Sequence, residues 1–412
     1  MSLEEASVHR HYDIIIVGAG IVGSALACKL AIENSALRIV IVEASPFLPH
    51  YSANNFDPRV VALTIASQKL LQDIGAWQLI INKRFCPYTH MHVWDGTGTG
   101  SIDFDCRDVG ETALGYIVEN SVIVESLLEK IQQTNIEFRC PAKVSAINLP
   151  AEDALALVIL EDGSSLRAPL IIATDGANSP IRHMANLETR EWDYGHTAII
   201  TTAHTEKSHS YTAQQRFAEQ GPLAFLPLQT VTSNTQPSNT HHCSIVWSVD
   251  TKQSRTLLSL DDAQFATALG DAFEHKLGAI KSVTARYSFP LIQRHCKNYF
   301  KPGVVVAGDA AHTIHPLAGQ GVNLGLQDVA VLTEEIHRAL ERQVALSDTS
   351  ILERYQRRRK GPNLAMMGVM EGFKRLFAQD SLPVRWLRNA GMKQLDKTHL
   401  LKRKIIKEAM GL

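Results

Sequence analysis

Asp309, Asp175 and Glu43, with the glycines set at fixed distances from them, are the residues whose types and spacing could do chemistry in this chain. In Val305-Val306-Ala307-Gly308-Asp309 an apolar run ends in one carboxylate, and open α/β sheets bind ligands at that carboxyl edge. Asp309 is placed to accept hydrogen bonds from ribityl-type hydroxyls. His315-Pro316 turns the chain, and Gly319-Gln320-Gly321 lets the backbone approach a ligand. A helix expected from about Val322, with Asn323 in its first turn, offers free amide hydrogens and a positive dipole end. Such an end stabilises the negative charge of a reduced flavin around N1 and O2.

The amino-terminal motif supplies the other half. Tyr12 to Val17 is an apolar run of strand length leading into Gly18-Ala19-Gly20-Ile21-Val22-Gly23 and a helical stretch to about Glu33. This is the strand, glycine turn and helix of a dinucleotide fingerprint. Gly18 makes the turn, Gly20 admits a pyrophosphate, and Gly23 lets helix and strand pack closely. A second strand, Arg38 to Val42, ends at Glu43, a carboxylate suited to an adenosine ribose and hostile to the 2′-phosphate of NADP. A third strand, Leu170 to Thr174, ends in Asp175-Gly176 and leads to Ser179 and Arg182. Gly96-Thr97-Gly98-Thr99-Gly100 has glycines without a buried strand before it or a helix after it, and reads as a hairpin turn. No second fingerprint occurs, so a dedicated nicotinamide domain is not expected.

Together these motifs resemble the class A, single-component FAD monooxygenases that hydroxylate aromatic rings. Within that class the chain is similar to the ubiquinone-biosynthesis hydroxylases in Phe56 to Leu63 (which includes Arg59), Leu114 to Asn120, Gln215 to Phe217, Gly221 to Leu228, Cys243 to Ser248 and His315 to Gln327. Met91 to Asp95, Val118 to Ile123 and Ala409 to Leu412 look like the branch that hydroxylates C5 of a polyprenylphenol; sister enzymes acting at C1 and C6 share most motifs.

The resemblance implies an α/β fold: a Rossmann-like FAD-binding domain of the para-hydroxybenzoate-hydroxylase type, a β-sheet substrate domain and C-terminal helices. FAD is the implied cofactor and NAD(P)H a transient co-substrate docking near Asp175 and Arg182. Cofactor contacts are implied for Gly18, Gly20, Gly23, Glu43, Arg59, Asp175, Asp309, Gly321, Val322 and Asn323. Pro316, which has no amide hydrogen, can offer a carbonyl beside the flavin to a substrate hydroxyl, with His315 next to it. Reduced flavin activates O2, and the phenol ring attacks the electrophilic oxygen while protein excludes water. Phe217, Phe225, Pro227 and Trp247 read equally as pocket walls or as core packing of the sheet.

The elements that must position these residues are discontinuous. The FAD-binding domain is expected from 1–75, 105–185 and 285–345, the substrate sheet from 76–104 and 186–284, and a helical region from 346–412. Thr197 to Ala203, Leu223 to Leu226 and Ser244 to Trp247 are strand-like, and polar Thr230 to His242 reads as a loop.

With 412 residues, 45% hydrophobic, 20% charged and a net charge of −1, the chain can bury a large core and has no electrostatic reason to bind nucleic acid. Its six cysteines form no CxxC and no zinc spacing, as expected of reduced thiols in a cytoplasmic protein. The HxxH of His312 and His315 lacks a third ligand, so no metal is expected. Met1 to His11 is polar with two acids, unlike an export signal, and no run has the length of a membrane span.

Two basic clusters, Arg354 to Lys360 and Lys402 to Lys407, suit either solvated helix faces or, for the second with its leucines and isoleucines, contact with a membrane surface or partner. Partners implied are the lipid substrate, O2 and other ubiquinone-biosynthesis proteins, at a cytoplasmic location peripheral to the inner membrane. No general base has a diagnostic spacing. A flavin halogenase is disfavoured by the scattered tryptophans; a flavin reductase acting on prenyl chains and a non-catalytic FAD-bound scaffold subunit are the other readings.

Overall fold

The apolar runs read from the sequence line up as the centre of a mostly parallel sheet. In the computed structural model, which describes residues 10–46, 52, 55–150, 155–218, 221–230, 241–314, 320–379 and 382–412, Ile14–Val17, Ile39–Val42, Leu170–Ala173 and Val304–Val306 are buried along their whole length. Parallel strands covered on both faces read as continuous apolar runs for this reason. The six-stranded order is Phe300–Lys301, Val304–Val306, Leu170–Ala173, Ile14–Val17, Ile39–Val42, Glu137–Arg139. The largest core cluster lies between this sheet and the helices Ile21–Glu33, Asn120–Ile131 and Gln320–Glu341.

A second, nine-stranded and largely antiparallel sheet is built around Thr189–Thr205, Thr212–Ala218, Gly221–Leu228, His242–Asp250 and Tyr287–Cys296, with His90–Asp95 and Ser101–Asp105 at one edge. Its two faces are packed differently. Helices Thr251–Ser259 and Asp262–Ala272 cover one face through Leu257, Phe265 and Leu269. The other face, carrying Ala213, Ala224, Leu226 and Leu228, meets the small sheet of Val60–Leu63, Cys86–Tyr88 and Gly115–Glu119, and so looks toward the first sheet.

Helix Thr349–Ala378 joins the two halves. Thirty residues of helix span roughly 45 Å. Its first half is bound to Gln320–Glu341 by Arg354 and Arg358 on Glu335, a carboxylate with no solvent exposure. Its second half reaches the large sheet, where Glu371 hydrogen-bonds Tyr194 and Phe377 stacks on Phe217 with centroids 4.2 Å apart. Most of the first basic cluster is thereby accounted for inside the molecule: Arg354 pairs with Glu335, Arg358 with Glu334 and Glu335, Arg359 with Asp328, and Lys360 donates to Lys297 O, while Arg357 is exposed.

Gly96 to Gly100 forms the turn between two strands, as predicted, and also receives helix Leu382–Lys397. A Cβ on Gly98 would lie 2.3 Å from the Asn389 side chain, and Asn389 accepts from Gly100 N and donates to Asp95. No helix among the described residues is long and apolar enough to cross a membrane.

Candidate functional site

Four parallel strand ends bring the sequence motifs to one edge. In register, Ala173 lies beside Val17 on one side and Val306 on the other, and Val17 lies beside Val42. The residues that follow, Gly18 to Gly20, Glu43, Thr174-Asp175 and Gly308-Asp309, therefore emerge side by side.

The fingerprint turn is interlocked with its neighbours. Gly18 has φ +101°, and a Cβ there would sit 2.6 Å from Thr174 O. Thr174 Oγ1 donates to Val17 O and Gly18 O, both at 3.0 Å. A Cβ on Gly23 would lie 2.0 Å from Gly18 O, whereas one on Gly20 would meet nothing within 4 Å among the described residues. Gly20 is also the N-cap of helix Ile21–Glu33 and supplies no capping side chain. An uncapped helix start facing open space fits a pyrophosphate, whose charge the dipole and free amides stabilise. Glu43 accepts from Ala19 N and Ser45 N, each at 2.8 Å, so it fixes the turn as well as standing where a ribose is expected.

Asp309 is exposed to solvent, with protein crowding part of its surroundings. That crowding raises its carboxyl above the usual range. A Cβ on Gly321 would lie 3.8 Å from Asp309 Oδ1, so the carboxylate stands at the start of helix Gln320–Glu341. Asp175 Oδ2 accepts from Ile181 N at 3.1 Å, while Oδ1 is buried without a partner among the described residues. Burial raises this carboxyl too. An orphaned buried acceptor beside the glycine turn is a further fit to a polar cofactor. Arg59 is exposed on a loop that Asp57 anchors by accepting from Arg59 N and Ser121 N.

The side chains of Arg182, Asn323 and three of the sheet residues are engaged within the protein. Arg182, expected on a nicotinamide path, is 1% exposed and donates to Ala310 O and Ala177 O. It ties the Asp175 turn to the Asp309 turn. Asn323 accepts from Thr64 N and Ser67 Oγ and donates to Ala62 O, so its side chain binds the helix to the small sheet. Phe225 and Trp247 pack against Phe273 and Phe265 under the covering helices, and Pro227 is buried on that same side opposite Cys243. All three face away from the first sheet, because strand parity puts their neighbours Ala224, Leu226 and Val246 on the facing side. Phe217 shares the facing side with Ala213 and Gln215. Val322 packs against the main core. His315, Pro316 and Gly319, and most of the polar loop from Thr230, lie outside the described residues.

Sequence reasoning missed a buried polar chain behind Asp309. Asp328 Oδ2 accepts from Gly308 N at 3.0 Å and lies 2.6 Å from His312 Nε2, and Oδ1 accepts from Arg359 Nε at 2.6 Å. Arg359 continues to Asn363 Oδ1, Asn363 Nδ2 donates to Tyr299 Oη, and His295 Nε2 lies 3.0 Å from that hydroxyl. Burial alone would raise the Asp328 carboxyl; His312 and Arg359 outweigh it and hold it low. The chain fixes Gly308-Asp309 from below. Its sequence signal is an acid, Asp328, between Leu324 and Leu332 on the apolar stripe of a helix, with Glu335 two turns on along the same side. Gly325 was missed as well: a Cβ there would meet Val22 at 2.6 Å, so the two cofactor helices touch through it.

Comparison with known proteins gives the same picture. The profile of the FAD binding domain family matches residues 11–367. The 3-demethoxyubiquinol 3-hydroxylase of Escherichia coli is 34% identical over 97% of this chain and 98% of its own length. The mitochondrial ubiquinone biosynthesis monooxygenase of Homo sapiens is 30% identical over 97% and 93%, and a ubiquinone hydroxylase of Rhodospirillum rubrum 32% identical over 98% and 91%. Among solved structures, the p-nitrophenol 4-monooxygenase of Pseudomonas putida shares the fold with TM-score 0.76 at 20% identity, covering 97% of this chain and 98% of that one.

Proposed function

The chain belongs to the FAD binding domain family as an FAD-dependent monooxygenase, and from that premise we propose that it hydroxylates the aromatic ring of a polyprenylphenol in ubiquinone biosynthesis, at C5, using NAD(P)H and O2. The observation that carries this reading is the alignment of Gly18 to Gly20, Glu43, Asp175 and Asp309 along one sheet edge. The substrate class is supported by full-length relatives named for ubiquinone biosynthesis.

When bound, FAD supplies the electrons and the activated oxygen. The protein's part is positional. The uncapped start of Ile21–Glu33 takes the pyrophosphate, Glu43 the adenosine ribose, Asp309 the ribityl hydroxyls, and the start of Gln320–Glu341 the flavin's anionic edge. Arg59 stands at the rim, and Asp175 lies where NAD(P)H docks transiently. Pro316 offers its carbonyl to the substrate hydroxyl with His315 beside it, and Phe217 forms part of the pocket wall on the facing side of the large sheet. The enzyme works from the cytoplasm at the edge of the inner membrane, alongside other proteins of the same pathway.

The Escherichia coli relative is named for a 3-hydroxylation, which favours a second reading with another ring position, C6 or C1. Mass spectrometry of lipids from cells lacking the protein, with and without the gene restored, separates these. Accumulation of a polyprenylphenol lacking the C5 hydroxyl is expected. An intermediate lacking another hydroxyl moves the position, and unchanged quinones overturn the pathway. A purified flavin that NAD(P)H fails to reduce in the presence of a phenol would favour a scaffold subunit.

A further inference from the structure

Nine of the fifteen large hydrophobic side chains exposed among the described residues lie between Leu364 and Leu412. Residues 382–412 also carry eight Lys or Arg against two acids, in a chain whose net charge is −1. Exposed apolar surface and unbalanced positive charge thus coincide toward the carboxyl terminus of the chain.

The two last helices show which side is which. Helix His399–Met410 turns Lys402, Ile406 and Met410 inward, where Lys402 meets Asp396 and Asp108 and the other two pack on Ile65, Cys106 and Leu114. Its outer side presents Leu400 (82% exposed), Leu401, Lys404, Lys407 and one acid, Glu408, with Arg403 exposed at its flank. Helix Leu382–Lys397 turns Arg388 inward, where it is buried with Asp95, and presents Trp386 (73% exposed), Leu387 and Lys397. The inward contacts leave neither helix free to roll its leucines under.

We propose that the outer side of these two helices is a docking surface for an anionic lipid bilayer, with Trp386, Leu387, Leu400 and Leu401 entering the headgroup boundary and Lys397, Arg403, Lys404 and Lys407 on the lipid phosphates. Apolar residues interleaved with lysines fit such a surface because long cationic side chains keep their charge at the headgroups while their stems stay in the apolar layer. Trp favours the same boundary. Protein interfaces, in contrast, are depleted of Lys, and a two-fold contact with a second copy would set like charges against each other. The inference stands on this surface and not on the ring position hydroxylated.

The test uses the full FAD-loaded chain. Co-sedimentation is measured with vesicles of phosphatidylcholine and with vesicles that add about a third phosphatidylglycerol, at low and high salt. Binding at least tenfold stronger to the anionic vesicles, and weakened by salt, is expected. Arg403→Gln with Lys404→Gln and Lys407→Gln lowers it by on the order of a hundredfold, and Leu400→Ser with Leu401→Ser lowers it as well, with FAD content and Tm retained. A second readout keeps the idea testable should a variant misfold: brominated acyl chains quench tryptophan emission in the wild type and much less in Trp386→Phe. Equal binding to both vesicle types, variants that bind like wild type, equal quenching, or a dimer that shields Trp386 in place of vesicles would overturn it.

Discussion

At the residue scale, the glycines of the fingerprint separate fold from ligand. A Cβ on Gly20 points into space that the protein leaves open, whereas one on Gly23 collides with Gly18 O. Gly20→Ala should therefore leave stability within about 0.5 kcal/mol and weaken FAD binding tenfold or more, while Gly23→Ala should cost roughly 1–3 kcal/mol by overpacking. Denaturant titration of the apoprotein and flavin titration read the two effects independently. Asp309→Ala should lose bound FAD with the protein still folded; unchanged flavin content would remove that carboxylate from the site. A pH effect belongs here as well. Burial pushes His295 and His209 down to about 4, so the folded state holds them neutral while the unfolded chain protonates them near 6.5. Between those values the unfolded state binds more protons, so stability falls as pH falls from 6.5 to 4, by on the order of 3 kcal/mol per histidine at most. The slope of Tm against pH in that window should flatten in His295→Gln and His209→Gln, and an unchanged slope would reject the assignment.

At the element scale, the Asp328 chain decides how firmly the helix Gln320–Glu341 and the Gly308-Asp309 turn share one frame. Asp328 and its partner Arg359 are both buried, so removing one leaves an uncompensated charge. Arg359→Met should destabilise the protein by about 3–5 kcal/mol. Arg359→Lys should recover part of that, since it restores the charge and loses the fork that reaches Asp328 and Asn363. A structural role alone would leave the bound flavin's spectrum unchanged; displacement of Gly308-Asp309 should alter its visible circular dichroism in Asp328→Asn. An unaltered flavin signal would show that the turn holds its position without this support.

At the scale of the whole molecule, helix Thr349–Ala378 and the helices after it hold the second sheet against the first. Arg388 with Asp95, and Asn389 in the Gly98 cradle, clamp the last helices to the sheet edge. Asp95→Asn takes away the charge facing the buried Arg388. Limited proteolysis should then cut within residues 382–412 of the variant well before the wild type, with FAD retained because the cofactor edge lies elsewhere. Simultaneous loss of FAD would mean that the two halves unfold as one unit.

The sequence by itself determined the parts whose physics is local. A buried parallel strand is an apolar run, a glycine turn that must admit a phosphate cannot carry side chains, and an acid at a strand end stands at the sheet edge; Gly18, Gly20, Glu43, Asp175 and Asp309 could be read for those reasons. Only the tertiary structure decided the sides. Phe225 and Trp247 alternate correctly for a strand, but both faces of that sheet are covered, so period-two patterning could not tell the helix-covered face from the one toward the first sheet. Arg182, Asn323 and the cluster Arg354 to Arg359 are polar residues whose partners lie far along the chain: Ala310, Ala62 and Glu335. Local sequence carries no record of such pairings, and burial turned residues that resemble ligand contacts into the joints that hold the ligand's frame.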